Sequence, residues 1–153
     1  MIVICLFAYG DSGKSNQDLI NELNDFPDNW PIFTQKMVAK EIKKIFPTRQ
    51  IIVSPQKGDH ISSFALIERF LAEKKKHADW TSAKIIAAEQ HYERLERDFQ
   101  KVDFPIICRS INIGYFPEDP LWWVHNKHLW KFRELIISCL PFWLYKWLSR
   151  RDY

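Results

Sequence analysis

Short continuous apolar runs alternate along this chain with longer segments of helical periodicity. The first run, IVICLF at residues 2–7, is followed by comparable runs at residues 49–55, 83–89 and 104–110. Apolar runs of this length without polar alternation are typical of strands that are buried on both faces. Between and after these runs, the apolar spacing predicts helices over residues 15–24, 34–46, 60–76, 90–102 and 127–148.

Four buried strands separated by helices predict a parallel sheet that is covered on both faces. The predicted fold class is α/β, a three-layer α/β/α Rossmann-like fold with a mainly parallel sheet of about four strands. Ser15 and Thr34 are the predicted caps of the first two helices, and the second helix is expected to end before Pro47. Asp59 or His60 is the predicted cap of the third helix.

The composition is that of one ordinary globular domain. The chain has 153 residues, of which 46% are hydrophobic and 27% are charged, so we predict a single domain over residues 1–153. The net charge of +3 is small, and the basic residues are mostly interspersed with acidic ones. A nucleic-acid-binding protein would carry a larger excess of positive charge in a stripe or patch, so we expect no nucleic-acid partner.

Cysteine usage and hydropathy predict a cytoplasmic protein. Cys5, Cys108 and Cys139 lie far apart in apolar segments, so we expect reduced, buried thiols without a disulfide or a metal site. The N-terminal apolar run has about six residues and lacks the flanking features of a signal peptide. No segment of the sequence reaches the roughly 18 apolar residues that a transmembrane helix requires.

Polar segments follow the carboxyl end of each predicted strand. They are GDSGK at residues 10–14, PQKGDH at 55–60, EQHYER at 89–94 and SINIGYFPED at 110–119. Open parallel sheets bind ligands beyond the carboxyl ends of their strands, where the winding direction reverses. We therefore expect the segments after the first and third strands to converge on one electropositive cavity.

The stretch GDSGKSN after the first strand resembles a phosphate-binding loop but does not match its pattern. With Gly13 and Lys14 as anchors, the pattern G-x-x-x-x-G-K-[ST] requires Gly where this chain has Ala8. A glycine-containing turn before a helix still presents backbone donors to an anion. The residues of this loop that we predict to bind a ligand are Gly10, Asp11, Ser12 and Lys14. A P-loop kinase and an ordinary turn without a ligand are the alternatives.

The segment EQHYER places His91 and Arg94 in the first turn of a helix, where free amides and the helix dipole favour an anion. His91 is the side chain best suited to act as an acid or base, and Glu89 is expected to bring its pKa near neutrality. His91 and Glu89 are thus the predicted catalytic residues, and Arg94 is a predicted ligand-binding residue. The alternative is a surface histidine beside an ordinary exposed arginine.

The C-terminal part of the chain is rich in tryptophan, with five of the seven Trp residues between positions 122 and 147. The last predicted helix is apolar on nearly every side from Leu135 to Leu148, and Pro141 is expected to kink it. One interpretation is a membrane-interface helix flanked by Lys146, Arg150 and Arg151. The polar residues around the helix favour a second interpretation, in which it closes one face of the sheet and Trp rings cover the core.

Five motifs occur in order along the chain. An apolar strand ending in AYG is followed by PIFTQKMVAKEI, by a strand and helix, by KIIAAEQHYERLERDF, and by YFPEDPLWWVHNKHLWKFRELI. Over nearly its full length the chain thereby resembles the YdcF/SanA/ElyC-like domain family, Rossmann-like proteins best known as a domain of unknown function. The second, fourth and fifth segments are similar to the family's T-Q-x-x-x-A, H-x-x-R-A and Trp-rich R-E motifs.

The resemblance implies a set of site residues. They are Gly10, Gln35, His91, Arg94, Arg133 and Glu134. Arg133 and Glu134 would form a supporting pair at the start of the last helix. The chain departs from the family in three places: SPQKGDH replaces an S-G-G turn, the E-x-x-S-x-N-T signature is missing, and Leu95 replaces an Ala.

Two functions of different classes follow from these patterns. The first is binding of a small anionic, nucleotide-like ligand, S-adenosyl or phosphate-containing, at the carboxyl edge of the sheet. Phosphate-ester or glycosyl-phosphate chemistry is then favoured over hydride transfer, because the motif G-x-G-x-x-G is missing from the sequence. The second is a non-catalytic adaptor whose Trp-rich region contacts a membrane surface or a protein. The sequence identifies no cofactor.

Overall fold

A computed structural model of the chain describes residues 1–55 and 62–149. The strands are β1 Ile2–Leu6, β2 Ile32–Thr34, β3 Ile51–Val53, β4 Ser82–Ala88 and β5 Ile106–Ile111. The helices are α1 Gly13–Asn21, α2 Lys36–Ile45, α3 Ser63–Lys74, α4 Glu89–Gln100, α5 Lys127–Cys139 and α6 Phe142–Ser149. Two short 3₁₀ helices cover Glu22–Asp25 and Trp122–Val124.

The strands form one parallel sheet in the order β3-β2-β1-β4-β5. The predicted three-layer α/β fold is confirmed, with five strands where about four were expected. The chain proceeds from β1 outward to β2 and β3, and then crosses to β4 and β5 on the other side of β1. The winding direction therefore reverses between β1 and β4, and a ligand crevice is expected beyond the carboxyl ends of these two strands.

The side chains of β1 alternate between two buried clusters, one on each face of the sheet. Ile4 and Leu6 belong to the cluster that α1, α2 and Trp130 of α5 complete. Val3 and Cys5 belong to the cluster that α3 and α4 complete. Burial on both faces explains why the strand lacks polar positions, and each large apolar side chain buried here contributes about 1.5–3 kcal/mol.

The strand β2 was not predicted, because the sequence pattern indicates only a break between the first two helices in this segment. It has three residues, directly after Pro31, and so is too short to show a strand pattern. The prediction that Thr34 caps α2 is wrong, because Thr34 is the last residue of β2 and its hydroxyl donates to the carbonyl of Leu6 at 2.8 Å. The cap residue of α2 is Gln35.

Two other helix starts also differ from the prediction. The cap of α1 is Ser12 instead of Ser15, and the Ser12 side chain accepts a hydrogen bond from the Ser15 amide. The cap of α3 is Ser62, whose side chain accepts from the Ala65 amide at 3.1 Å. The predicted caps Asp59 and His60 lie outside the described residues.

The C-terminal helix is interrupted where Pro141 was expected to kink it. α5 ends at Cys139 and α6 begins at Phe142, so the chain forms two helices instead of one bent helix. The hydroxyl of Tyr145 donates to Asp98 of α4 at 2.9 Å, and its ring contacts Phe64 of α3. These contacts attach α6 to the outside of the α3–α4 layer.

The described cysteine thiols are free, and one of them is not buried as predicted. Cys5 is buried in β1, and burial raises the pKa of its thiol. Cys139 is exposed because it lies on the outer face of α5, so the expectation of burial is wrong for this residue. Within residues 1–55 and 62–149, every helix falls short of the length and hydrophobicity needed to cross a bilayer.

Candidate functional site

A cavity of about 270 Å³ lies beyond the carboxyl ends of β1 and β4. It is lined by residues after β1, at the starts of α2, α3 and α4, and from the segment between β5 and the middle of α5. The lining residues are Ala8, Tyr9, Gly10, Asp11, Gln35, Met37, Ser62, Ser63, His91, Arg94, Leu121, Trp123, Trp130 and Arg133. Gly10 and His91 both belong to this lining, so the predicted convergence of the loops after β1 and β4 is confirmed.

The turn after β1 holds a carboxylate that belongs to the protein itself. The amides of Asp11 and Ser12 donate to the carboxylate of Asp119 at 3.0–3.1 Å, and the Ser15 hydroxyl donates to it at 2.9 Å. The amide of Leu121 adds a fourth donor group at 2.9 Å. Asp119 therefore occupies the position in which a P-loop would bind a phosphate, beside the positive end of α1.

Glycine is required at position 10 because of this carboxylate. A Cβ atom on Gly10 would lie 2.4 Å from Oδ2 of Asp119 and 2.6 Å from Oγ of Ser15. Both atoms are held by hydrogen bonds within the turn, so they have little freedom to move away. The requirement is a close approach, since no glycine among the described residues has a positive φ angle.

The donors around Asp119 keep it ionised. Burial alone would raise the pKa of this carboxyl, but the amides of Leu121, Ser12 and Asp11 and the Ser15 hydroxyl lower it below its usual value. The carboxylate thus fixes the loop that carries Leu121 and Trp123 onto the turn after β1.

His91 is buried at the start of α4, where its Nε2 atom is 2.6 Å from Oγ of Ser63. A guanidinium nitrogen of Arg94 contacts the same Nε2 atom. Because a guanidinium has only donors, Nε2 is assigned as the acceptor and the ring proton as lying on Nδ1. Nδ1 has no hydrogen-bond partner in the described part of the chain.

The prediction that Glu89 brings the pKa of His91 near neutrality is wrong. Burial lowers the pKa of His91 well below 6.5, and the charges of Arg94 and Arg133 lower it further. Glu89 is exposed at the first position of α4 and does not contribute to this shift. The imidazole is therefore neutral at pH 7, and it can accept a proton at Nε2 or donate a hydrogen bond from Nδ1.

One carboxylate of α5 joins two guanidinium groups beside the cavity. Oε1 of Glu134 is 3.0 Å from Nη1 of Arg94 and 2.7 Å from Nη1 of Arg133. Burial, and then the charge of Arg94, lower the pKa of Arg133 to about 10. Nε of Arg94 lacks a partner among the described residues. Two cations sharing one anion leave an excess positive charge at this wall of the cavity.

Two tryptophans of the C-terminal region hold Arg133 in place. Its guanidinium carbon lies 4.8 Å from the ring centroid of Trp123 and 5.5 Å from that of Trp130. These are cation–π distances, and they orient the planar guanidinium. Nε1 of Trp130 donates to the carbonyl of Gln90 at 2.9 Å, which attaches α5 to the start of α4. Part of the Trp-rich region therefore builds the cavity wall.

Of the remaining predicted site residues, some line the cavity and others lie outside it. Gln35 lines it, and its side-chain oxygen accepts from the Ala8 amide at 3.3 Å, which links the starts of the first two crevice loops. The predicted site residues outside the lining are Ser12, Lys14, Glu89 and Glu134. Ser12 caps α1, Lys14 and Glu89 are exposed, and Glu134 acts through its two arginine partners.

The rest of the lining is apolar or aromatic. It includes Met37, Leu121 and the ring of Tyr9, which lies 5.1 Å from the ring of Trp130. The Tyr9 hydroxyl is buried without a partner in the described residues, and burial raises its pKa. A polar wall thus faces a group of large apolar side chains, an arrangement suited to a ligand with one charged and one flat apolar part.

Sequence reasoning did not identify Tyr9, Ser63 or Asp119 as site residues. The adjacent serines before the apolar pattern of α3 are a helix-start signal, and could have identified Ser63. No local signal could identify Asp119, because the Ser12 amide it binds is 107 residues away in the chain.

Comparison of the chain with protein-family models, with curated proteins and with solved structures finds no match. In the described part of the chain, no group of three or more His, Cys, Asp or Glu side chains could hold a metal ion. Fold and site together define a Rossmann-like α/β protein with a cavity lined by two arginines and several aromatic side chains at the carboxyl edge of its sheet.

Proposed function

We propose that the protein binds a small anionic, nucleotide-like ligand in the cavity beyond β1 and β4. The observation that carries this proposal is the sharing of one carboxylate, Glu134, by the guanidinium groups of Arg94 and Arg133. A ligand phosphate or carboxylate would supply the second anion, and arginines bind such groups through two parallel hydrogen bonds. His91 also lines the cavity, and its neutral ring can donate a hydrogen bond from Nδ1.

The apolar part of the lining supports the nucleotide-like character of the ligand. Tyr9, Trp123 and Trp130 offer aromatic surface for a flat ring. Asp11 also lines the cavity, and a carboxylate there can accept hydrogen bonds from hydroxyl groups such as those of a ribose. A volume of about 270 Å³ is just below the roughly 300–1,000 Å³ typical of ligand sites, which favours a mononucleotide over a dinucleotide.

We also propose that the chain is a divergent member of the YdcF/SanA/ElyC-like domain family. What supports this is the position of the residues that the resemblance implies. Gly10, Gln35, His91, Arg94 and Arg133 line one cavity, and the sixth residue, Glu134, bridges the two arginines. Parallel-sheet topology already brings Gly10 and His91 together, so the support that is specific to the resemblance is the pairing of Arg133 and Glu134 with Arg94.

Calorimetry with the full chain tests the binding proposal. We expect adenosine monophosphate or an S-adenosyl compound to bind, and adenosine to bind more weakly because it lacks the anionic group. Arg133→Gln and Arg94→Gln should each weaken binding by about ten- to a hundredfold, the range for a lost hydrogen bond to a charged group. Trp123→Phe should weaken it less, since the charge of Arg133 remains.

The matched control is Arg97→Gln on α4. Arg97 is three residues from Arg94, pairs with Asp98 and does not line the cavity. The Arg97→Gln variant should bind the ligand as the unmodified chain does. Thermal unfolding should show that every variant is folded. Equal affinity in Arg133→Gln, equal loss in Arg97→Gln, or equal binding of adenosine and its monophosphate would each contradict the proposal.

Phosphate-ester cleavage is a second candidate function, and the contact of 2.6 Å between Ser63 Oγ and His91 Nε2 favours it. In this reaction the Ser63 hydroxyl gives its proton to Nε2 as Oγ bonds to phosphorus and the ester P–O bond breaks. The leaving oxygen takes the proton from His91, and water then releases phosphate from Ser63. The charge of Arg94 lowers the pKa of His91. An anionic substrate that pairs with Arg94 would offset this charge and make His91 a stronger base.

Hydrolysis of p-nitrophenyl phosphate, followed by release of nitrophenolate, tests this candidate. Ser63→Ala should lower the rate by about a hundredfold or more, with ligand affinity changed much less. Ser138→Ala, which alters an exposed serine of α5, is the control. A wild-type chain that cleaves no phosphomonoester, or a Ser63→Ala variant with an undiminished rate, would refute it.

A further inference from the structure

Two rows of large apolar side chains are exposed on the outer faces of α5 and α6. The row on α5 contains Phe132, Leu135 and Ile136, which are 56%, 62% and 47% exposed. The row on α6 contains Trp143 and Trp147, which are 71% and 53% exposed. Their spacing of three and four residues places the members of each row on one side of their helix.

The contacts that build the cavity and attach α6 are made by other residues of these two helices. The inner side of α5 contributes Trp130, Arg133 and Glu134 to the site, and α6 is attached through Tyr145. Of the eleven exposed large hydrophobic side chains in the described part of the chain, six lie between residues 132 and 147. Such a concentration marks a surface that contacts an apolar partner or a lipid.

The charges of the two helices indicate which partner fits. Residues 127–149 contain a single acidic residue, Glu134, which is engaged by Arg94 and Arg133. Lys127 and Lys131 are exposed on α5, beside the apolar row. An apolar surface with aromatic residues and lysines, and without a free acid on these two helices, suits anionic lipid headgroups.

A second copy of the chain is a poorer partner for this surface. Symmetric pairing of α5 would join two surfaces that each carry lysines and no free acid, so no opposite charges would pair across the contact. The helices are also too short to insert across a bilayer, with 13 residues in α5 and eight in α6. Binding parallel to a membrane surface is the arrangement that their length and their one-sided exposure allow.

We propose that the outer faces of α5 and α6 bind the surface of a membrane that contains anionic lipids. The apolar rows enter the boundary between headgroups and acyl chains, and the lysines pair with the headgroups. The cavity remains a separate site on the inner side of α5.

Sedimentation of the full chain with vesicles tests this proposal. We expect binding to phosphatidylcholine vesicles that contain phosphatidylglycerol, and much weaker binding to phosphatidylcholine alone. The double substitution Trp143→Ser and Trp147→Ser should lower the partition coefficient by about tenfold or more. Lys127→Gln and Lys131→Gln should each lower it by about fivefold, and added salt should reduce binding in the unmodified chain.

Ile107→Ser is the matched control, because Ile107 is 50% exposed on β5 and lies outside both helices. This variant should bind vesicles as the unmodified chain does. The proposal is overturned if the unmodified chain does not bind the anionic vesicles or if the tryptophan variant binds them equally well. It is also overturned if the chain forms dimers that the tryptophan substitutions abolish while vesicles remain unbound.

Discussion

At the scale of single residues, the contact between Gly10 and Asp119 has the clearest consequence for stability. A methyl group at position 10 would overlap Oδ2 of Asp119, which is held by several donors. We expect Gly10→Ala to lower the free energy of unfolding by about 1–3 kcal/mol, as other overpacked positions do. Urea denaturation measures this change.

Gly114→Ala is the control for this prediction. A Cβ atom at position 114 would meet nothing within 4 Å, and its φ angle is not positive. Stability should therefore be unchanged or slightly higher, because alanine restricts the unfolded chain. Asp119→Ala should lower the free energy of unfolding less in the Gly10→Ala variant than in the unmodified chain, because it removes the overlap with the methyl group at position 10. Additive losses, or a fully stable Gly10→Ala variant, would contradict the account of the turn.

At the scale of elements, the longer strands and helices could be predicted from sequence because each carries its own pattern. β1 and β4 are continuous apolar runs, and the buried residues of α4 repeat at helical spacing. β2 could not be predicted, since three residues contain too little periodicity and pairing with β1 determines their conformation. The predicted caps Ser15 and Thr34 differ from the observed caps Ser12 and Gln35 by one to three residues. Several neighbouring polar residues can serve as the cap, so sequence alone does not define where the helix begins.

The candidate site could be predicted only where topology sufficed. Parallel strands bring the ends of β1 and β4 to one edge, so the loops with Gly10 and His91 were expected to meet, and they do. The charge environment of His91 depends on Arg133, which comes from a distant part of the chain, and it could not be inferred from neighbours in sequence. The contact of Asp119 with the first turn is non-local for the same reason.

At the scale of the whole molecule, α5 connects two proposed activities. Its inner side carries Arg133 and Trp130 to the cavity, and its outer side carries the apolar row with Leu135. Membrane binding and ligand binding would therefore use opposite sides of one helix. The two sites can therefore be tested separately by the substitutions above.

Below neutral pH, the pH dependence of global stability follows from two groups whose pKa values are lowered in the folded chain, His91 and Asp119. For His91 the unfolded chain binds a proton near pH 6.5 and the folded chain does so only at much lower pH. Stability is thus complete above pH 6.5 and falls as the pH decreases below it, by up to about 1.4 kcal/mol per pH unit. The pKa of Asp119 is also lowered in the folded chain, so its contribution to stability likewise decreases as the pH decreases. This contribution is lost as the pH falls below about 3.9.

His91→Gln should remove the loss of stability that begins below about pH 6.5 and should leave the loss due to Asp119 below about pH 3.9 unchanged. The quantity to compare is the slope of unfolding free energy against pH between about 4.5 and 6.5, because the substitution also changes absolute stability. His128→Gln, which alters an exposed histidine of α5, should retain the slope of the unmodified chain. A histidine tuned near neutrality by Glu89 would give little slope in this window, so a flat profile in the unmodified chain would refute the burial of a neutral imidazole beside Arg94 and Arg133.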